Sequence, residues 1–585
     1  MRLPRLLRGS LLQAGGRAQR WLHGLMQDRP LLITTLLDHA AKFHPDVPVV
    51  SRRVEEPDRF HQYTYSEAAA RCMQLANALQ RLGVRQGDRV ATLAYSSFRH
   101  FELYYSVPGI GAVCHTVNPR LHDDQVAYIL NDAEDSLVFV DPPFLPHLQR
   151  IVQDHPLPHL RAVVVMAGEE HLSEEVSNAL AEHGLEVLAY ETLIDGERAD
   201  FAWPTFDERT ASSMCYTSGT TGNPKGCLFS HRSTLLHTFG ACSADGFGVR
   251  HQDSLLSVVP MFHVNGWGLP YATAMCGAKL VFPGPRLDGH SIYEMLRAEQ
   301  VTVSAGVPTV WLMLLDHMEH TEGASLPDLQ RLVIGGSATP PSLVEAFEDK
   351  YNVNIQLSWG MTELSPCGVV GSRKRSMVGW DQSQYQPYQL KPGRAMYGVD
   401  MRIVDEEDQE LPRDGTSLGR LQVRGPWTIE RYWNFSEAST DAEDWFDTGD
   451  VATLDEEGYL TIRDRAKDII KSGGEWISSI EIENVALSHP LVDSSEGPGA
   501  AVIAIPDRKY DERPLLVFRR KPGAMLSEED VREFLAPHFA KWWLPDRVVF
   551  VEEPLPLQGT GKVWKLKLRE SLAQGGLHGV GVETR

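Results

Sequence analysis

From Leu31 to about Val451 the sequence alternates between helical and strand hydrophobic periods, which restricts the chain to layered α/β architectures. Ala68, Cys72, Leu75, Leu79 and Leu82 recur at helical spacing and stop at Gly83, and Arg89–Leu93 follows as a strand-like run. The rhythm continues through Phe101–Val107, Ala112–Val117, a helix over Asp123–Leu130 and a strand over Ser136–Val140. No unit of about 20–50 residues repeats, so solenoids and propellers are disfavoured. At 585 residues the chain exceeds one core, and unequal domains are expected. The texture changes at Tyr459–Asp468, where a strand-like run turns charged and leads into the flexible Lys471-Ser472-Gly473-Gly474. Beyond it, Ile480–Leu487, Ala500–Ile505, Pro514–Val517, Glu528–Phe534 and Val548–Phe550 suffice for a small α+β domain. Two lobes on a short linker enclose a cleft.

Composition narrows the function. Hydrophobic residues at 42% and charged residues at 23% are the balance of a globular protein. A formal net charge of -22, with no basic cluster beyond the first twenty residues, argues against a nucleic-acid partner. No apolar run reaches the roughly 18 residues of a membrane-spanning helix, so no transmembrane segment is expected. The seven cysteines are scattered without a CxxC pair, which fits a reducing compartment and buried thiols. Arg2, Arg5, Arg8, Arg17 and Arg20 stand among leucines with no acidic residue before Asp28, the composition of a transit peptide. The competing reading is an over-extended start, with Met26 opening Met-Gln-Asp-Arg-Pro-Leu-Leu. The expected compartment is the cytoplasm, or the mitochondrial matrix if residues 1–25 are a true transit peptide.

Chemistry concentrates in Tyr216–Gly226, where Thr217, Ser218, Gly219, Thr220, Thr221, Gly222, Lys225 and Gly226 put three glycines, four hydroxyls and a lysine within eleven residues. Glycines allow close backbone approach while amides and hydroxyls supply donors, so the string suits a polyphosphate. The run Ala211–Cys215 before it reads as a strand, and His231–Phe239 after it as a helix start. It is not a Walker A loop, because Pro224 stands where the second glycine belongs and Gly226 replaces the hydroxyl after the lysine.

This string resembles the signature loop of the adenylate-forming superfamily, and further strings in the same order extend the resemblance over roughly residues 26–573. Pro260–Trp267 resembles the motif bordering the acyl pocket, which implies substrate contacts for His263 and a gating role for Trp267. Gly335-Gly336-Ser337-Ala338 and Ser358-Trp359-Gly360-Met361-Thr362-Glu363 resemble the segments that sandwich adenine and reach the α-phosphate. The resemblance implies Thr362 as a phosphate contact and Glu363 as a magnesium ligand, with Thr217 a second metal candidate; a carboxylate beside a hydroxyl suits that chemistry. Asp450, in Trp445–Asp450, is implied to accept the ribose hydroxyls, Arg465 to contact the ribose, and Lys467 to be the hinge. Lys471 and Trp476 are implied to touch the nucleotide, Gly473 and Gly474 to line a pantetheine tunnel, and Lys562, in Thr560-Gly561-Lys562, to be the catalytic lysine.

The implied fold is a large multi-layer α/β domain with a small mobile α+β C-terminal domain. The expected division is a leader over 1–25, a large domain over 26–466, a lid over 467–573 and a tail over 574–585. The implied activity activates a carboxylic acid with ATP and Mg²⁺ through acyl-AMP, then forms a thioester with coenzyme A. Ser472–Ser479 and Lys541–Pro545 resemble the medium-chain fatty-acid and methylthiopropionate CoA ligases, which implies a fatty acid or methylthiopropionate as cargo. Two departures, an inserted loop at Ser494–Gly499 and Leu557-Gln558-Gly559 before the lysine, bear on docking of the small lobe. An acyl-AMP ligase using another acceptor and a non-catalytic nucleotide sensor are the alternatives; the expected partners are the carboxylic acid and coenzyme A, with a homodimer as the candidate assembly. Fold alone does not choose the acid.

Overall fold

Side chains able to satisfy the free amides of a first turn set many helix starts. Thr64 and Glu67 form a reciprocal capping box at the head of Tyr65–Arg81, and Ser97, Ser478 and Ser527 accept backbone N–H bonds at the heads of their helices. The computed structural model describes residues 24–217, 223–472, 475–557 and 562–573. The leader expected over 1–25 lies outside the described residues apart from Gly24 and Leu25, as does the tail over 574–585.

Two large sheets carry most of the chain. In spatial order, one has Glu186–Ala189, Ala162–Val165, Leu137–Val140, Arg89–Leu93, Val113–Thr116, Ala211–Thr217 and Lys225–Ser230, parallel except for the last strand. The second has nine strands and a parallel centre formed by Asn354–Gly360, Arg331–Ile334, Val303–Gly306, Ser254–Ser257, Lys279–Phe282 and Pro48–Arg52. Helix Phe98–Gly109 touches strands of both sheets and is buried on every face. Such a helix shows no amphipathic stripe, which is why Phe101–Val107 could not be typed from its period.

Two departures from the expected rhythm follow. Thr217 pairs with Lys225 across two antiparallel strands, and the second of these, Lys225–Ser230, intervenes before helix His231–Cys242. Between residues 400 and 465 the alternation stops, and Asp400–Val404, Gly419–Arg424, Phe446–Leu454 and Leu460–Arg465 form an antiparallel sheet. Turns closed by local acceptors, such as Asp405 receiving the Glu407 and Gln409 amides, replace the crossover helices there.

Sheet membership changes between Arg465 and Ile470. After it, Ile470–Ser472, Glu475–Ile477, Ala500–Asp507, Asp511–Arg519 and Arg547–Val551 form one mixed sheet, with three helices beside it. Among the described residues no helix is long and apolar enough to cross a membrane.

The central helix is itself charged. Arg71 Nε donates to Glu102 Oε1 at 2.7 Å, the Tyr190 hydroxyl donates to Glu102 Oε2 at 2.5 Å, and Arg99 bonds Glu55 and Glu191. Glu102, Arg99 and Glu55 are almost wholly buried, so each charge depends on its partners. Glu102→Ala, which removes the acceptor shared by Arg71 and Tyr190, should cost about 3–5 kcal/mol, read as a lower unfolding midpoint of the full-length protein.

Candidate functional site

A cavity of about 1100 Å³ opens where both large sheets meet the small lobe. Parallel strands end at its wall: Ala211–Thr217 delivers Thr217, Arg331–Ile334 runs into Gly335–Ala338, and Asn354–Gly360 brings Ser358 and Gly360. Ligand sites of open α/β sheets form at such carboxyl ends, where the backbone turns away. Lys225 also lines the cavity, with Nζ 4.8 Å from the Tyr432 ring centre and 5.5 Å from that of Phe435. Ser218, Gly219, Thr220, Thr221 and Gly222 lie outside the described residues, as do Gly473 and Gly474.

The cavity's apolar end is shaped by an unusual backbone. Val264, Asn265, Gly266, Trp267 and Gly268 all have positive φ, between 36° and 73°. For residues other than glycine this left-handed conformation costs roughly 1–2 kcal/mol each, and β-branched Val264 is among them. The turn lays Trp267 against Gly335 and Gly336. A Cβ on Gly335 would stand 2.8 Å from the Ser358 carbonyl and 3.3 Å from the indole, and Gly336 itself has φ +85°. The glycines therefore leave room for the ring. His263 lines the cavity too, and burial together with the nearby Lys562 charge lowers its pKa to about 4, so it is neutral at physiological pH.

The polar end gathers charge. Thr362 and Glu363 occupy a short 3-10 turn, and Glu363 Oε1 accepts the Tyr432 hydroxyl at 2.7 Å. Asp450 is 3% exposed and lies just behind the wall. The Trp359 indole N–H donates to its Oδ2 at 2.9 Å and Arg465 Nε pairs with its Oδ1 at 2.9 Å. Burial raises the Asp450 pKa, while Arg465, Trp359 and Lys562 oppose the rise.

Lys562 enters the same cavity from the small lobe. Its side chain is exposed within the cleft, yet protein crowds around it. That desolvation, with Arg465 beside it, lowers its pKa to about 8 against the pull of Asp450. Lys467 also lines the cavity, with its pKa lowered by desolvation and by neighbouring cations, and partly restored by Asp468. Ser337, Ala338 and Gly336 complete the wall facing Thr362. Lys471 and Trp476 instead stand off the wall on one hairpin, the ammonium 5.9 Å from the indole.

No group of three or more His, Cys, Asp or Glu among the described residues could hold a metal alone. One wall carboxylate, Glu363, with a hydroxyl at Thr217, suits Mg²⁺, which takes most of its oxygens from phosphate and water.

Sequence reasoning passed over Tyr432, which orients Glu363, and Lys565, which also lines the cavity. Tyr432 sits in a segment without periodicity, and Lys565 reads as one surface lysine among several near the C-terminus.

The description "AMP-binding enzyme" matches residues 37–433, and "AMP-binding enzyme C-terminal domain" matches residues 481–562. The 3-methylmercaptopropionyl-CoA ligase of Ruegeria lacuscaerulensis is 46% identical over 550 residues, covering 94% of this chain and 98% of that protein. The medium-chain-fatty-acid CoA ligase of Ectopseudomonas oleovorans is 46% identical, covering 94% and 97%. Among solved structures, the anthranilate CoA ligase AuaEII in complex with anthranoyl-AMP superposes with a TM-score of 0.77 at 25% identity, covering 93% of this chain and 98% of that one.

Because Lys562 loses its proton near pH 8, competitive labelling with acetic anhydride should modify it with a midpoint near 8, well below an ordinary lysine. Asp450→Asn removes the charge that supports the ammonium and should move this midpoint lower, as read by mass spectrometry across a pH series.

Proposed function

The chain belongs to the AMP-binding enzyme family, and from that premise we propose that the cavity joins a carboxylic acid to coenzyme A at the expense of ATP. In the first half-reaction a carboxylate oxygen bonds to the α-phosphorus of ATP and the bond to pyrophosphate breaks, giving acyl-AMP. In the second, the coenzyme A thiol loses its proton and bonds to the acyl carbon as AMP leaves. One observation carries this reading. Lys562 of the small lobe shares one cavity with Thr362, Glu363 and Arg465 of the large lobe, so a cation from one body faces the phosphate-binding groups of the other.

No protein nucleophile is needed, so rate comes from positioning and from charge opposite the developing anion. In this reading Lys562 faces the α-phosphate and the carboxylate, and Thr362 bonds a phosphoryl oxygen. Asp450, already desolvated and oriented by Trp359 and Arg465, accepts the ribose hydroxyls. Ser358, Gly360 and the Gly336–Ala338 wall flank the adenine, and the loop after Thr217 holds the β- and γ-phosphates. Magnesium, when bound by Glu363 with help from Thr217, supplies positive charge against the pyrophosphate.

The cargo is a fatty acid or 3-methylthiopropionate. Beyond His263 and Trp267 the cavity is lined by Phe247, Leu287, Val307, Val310 and Met313, an apolar surface fitted to an alkyl or thioether chain. We place the lobe boundary at Lys467, with the lid over 467–573 turning between half-reactions. A cytoplasmic or matrix compartment and a homodimer belong to the same reading; the thiol cofactor and seven free cysteines fit a reducing environment.

Residues 26–585 with ATP, magnesium, coenzyme A and acids from acetate to palmitate, including 3-methylthiopropionate, should release AMP and thioester in equal amounts with one preferred acid. Accumulation of acyl-AMP without thioester would point to another acceptor, and absence of AMP with every acid to a nucleotide sensor. Lys562→Ala should slow acyl-AMP formation by on the order of 10²–10³, and a variant forming acyl-AMP at the normal rate would remove Lys562 from the reaction.

A further inference from the structure

Three residues past Lys562, the chain makes a largely buried polar junction at the edge of the cavity. Lys565 begins helix Lys565–Ala573, and its Nζ pairs with Glu483 Oε1 at 2.8 Å and donates to Ser479 Oγ at 2.6 Å. Ser479 passes the contact on: both its hydroxyl and its backbone N–H donate to Asp464 Oδ2 at 2.6 Å. Asp464 is 1% exposed and stands on Leu460–Arg465, the last strand of the four-stranded sheet. Ser479 and Glu483 lie one turn apart on a helix of the small lobe. The series Asp464–Ser479–Lys565 therefore crosses from the sheet before Lys467 to the lobe after it.

Its neighbours reinforce the crossing. The Ser478 hydroxyl donates to the Arg463 carbonyl, and Arg463 Nη1 donates to Glu481 Oε1 at 2.6 Å. Across Lys562, Leu557 and Val563 pair as a β-bridge and the Trp564 N–H donates to the Pro556 carbonyl at 2.7 Å. Lys562 thus sits on a segment tied down at Val563 and Trp564 and anchored at Lys565.

A buried ion pair is poor value as stabilisation, since an apolar replacement of similar volume often does as well; its use lies in selecting one arrangement over others. We propose that Lys565, through Ser479 and Glu483 to Asp464, is a positioning residue that latches the small lobe in the orientation presenting Lys562 to the cavity. Any turn of the lobe about Lys467 separates Ser479 from Asp464. The latch therefore favours the acyl-AMP half-reaction and must open before a different face of the lobe can serve the thiol step. This rests on the ligase reading for its kinetic consequence, but not for the lobe orientation itself.

The test compares Lys565→Met, Lys565→Arg and the isosteric Asp464→Asn with wild type. Acyl-AMP formation by Lys565→Met should fall about tenfold, within the range such a coupling carries, while thioester formation from supplied acyl-AMP stays within about twofold. Lys565→Arg should restore most of the first rate. Spin labels on unnatural amino acids at the exposed Glu406 and Glu553 should give one inter-lobe distance in wild type and a second population in Lys565→Met. Equal loss in both half-reactions, or an unchanged distance distribution, overturns the latch. If Lys565→Met does not fold, Asp464→Asn must show the same split and the same second distance. Should wild type activate no acid, the ligase reading falls, and the label distances still decide whether the latch exists.

Discussion

The site depends on one desolvated carboxylate. Asp450 is reached by Trp359 at the end of the nine-stranded sheet, sits in the four-stranded antiparallel sheet, and is paired with Arg465 on the adjoining strand. Two sheets are thereby referred to one point. A buried carboxylate with two charge-assisted partners tolerates little displacement, because loss of either leaves charge without compensation. Arg465 in turn donates to the Thr448 carbonyl, and the Thr448 hydroxyl accepts the Asp450 amide, so backbone and side chains close on each other. Lys562 arrives opposite this assembly, and its lowered pKa reflects the same desolvation.

Much of this was legible in the sequence where local rules and tertiary demands agree. Arg89–Leu93 forms the strand its pattern suggested, and the helical spacing from Ala68 to Leu79 falls within Tyr65–Arg81, with Gly83 just beyond at φ +76°. Order along the chain also marked a set of cavity residues, because the strings they belong to are specific in combination. The structure brings Thr217, Lys225, His263, Trp267, Thr362, Glu363, Arg465, Lys467 and Lys562 to one cavity, and leaves Trp359, Asp450, Lys471 and Trp476 off its lining.

What stayed hidden has a physical reason in each case. The strand Lys225–Ser230 was masked because a proline and a glycine at its head read as loop punctuation, although its backbone bonds are supplied by the neighbouring strand. Helix Phe98–Gly109 lies between two sheets and has no polar face, so period could not declare it. Lys565 is informative only once Glu483 and Asp464 are known to lie beside it, and those contacts join residues about 80 to 100 positions apart. Long-range electrostatics of this kind leaves no local mark.

The left-handed run Val264–Gly268 constrains how the chain can change over evolutionary time. Its shape is a property of five consecutive residues, held by the packing of Trp267 onto two glycines, so a single exchange within it disturbs the whole turn. Val310 and Met313 face the same cavity from helix Pro308–Glu319, where side chains can be exchanged without asking anything unusual of the backbone. Variation in cargo among descendants of this scaffold is therefore channelled to that helix, while the turn serves as the fixed jaw.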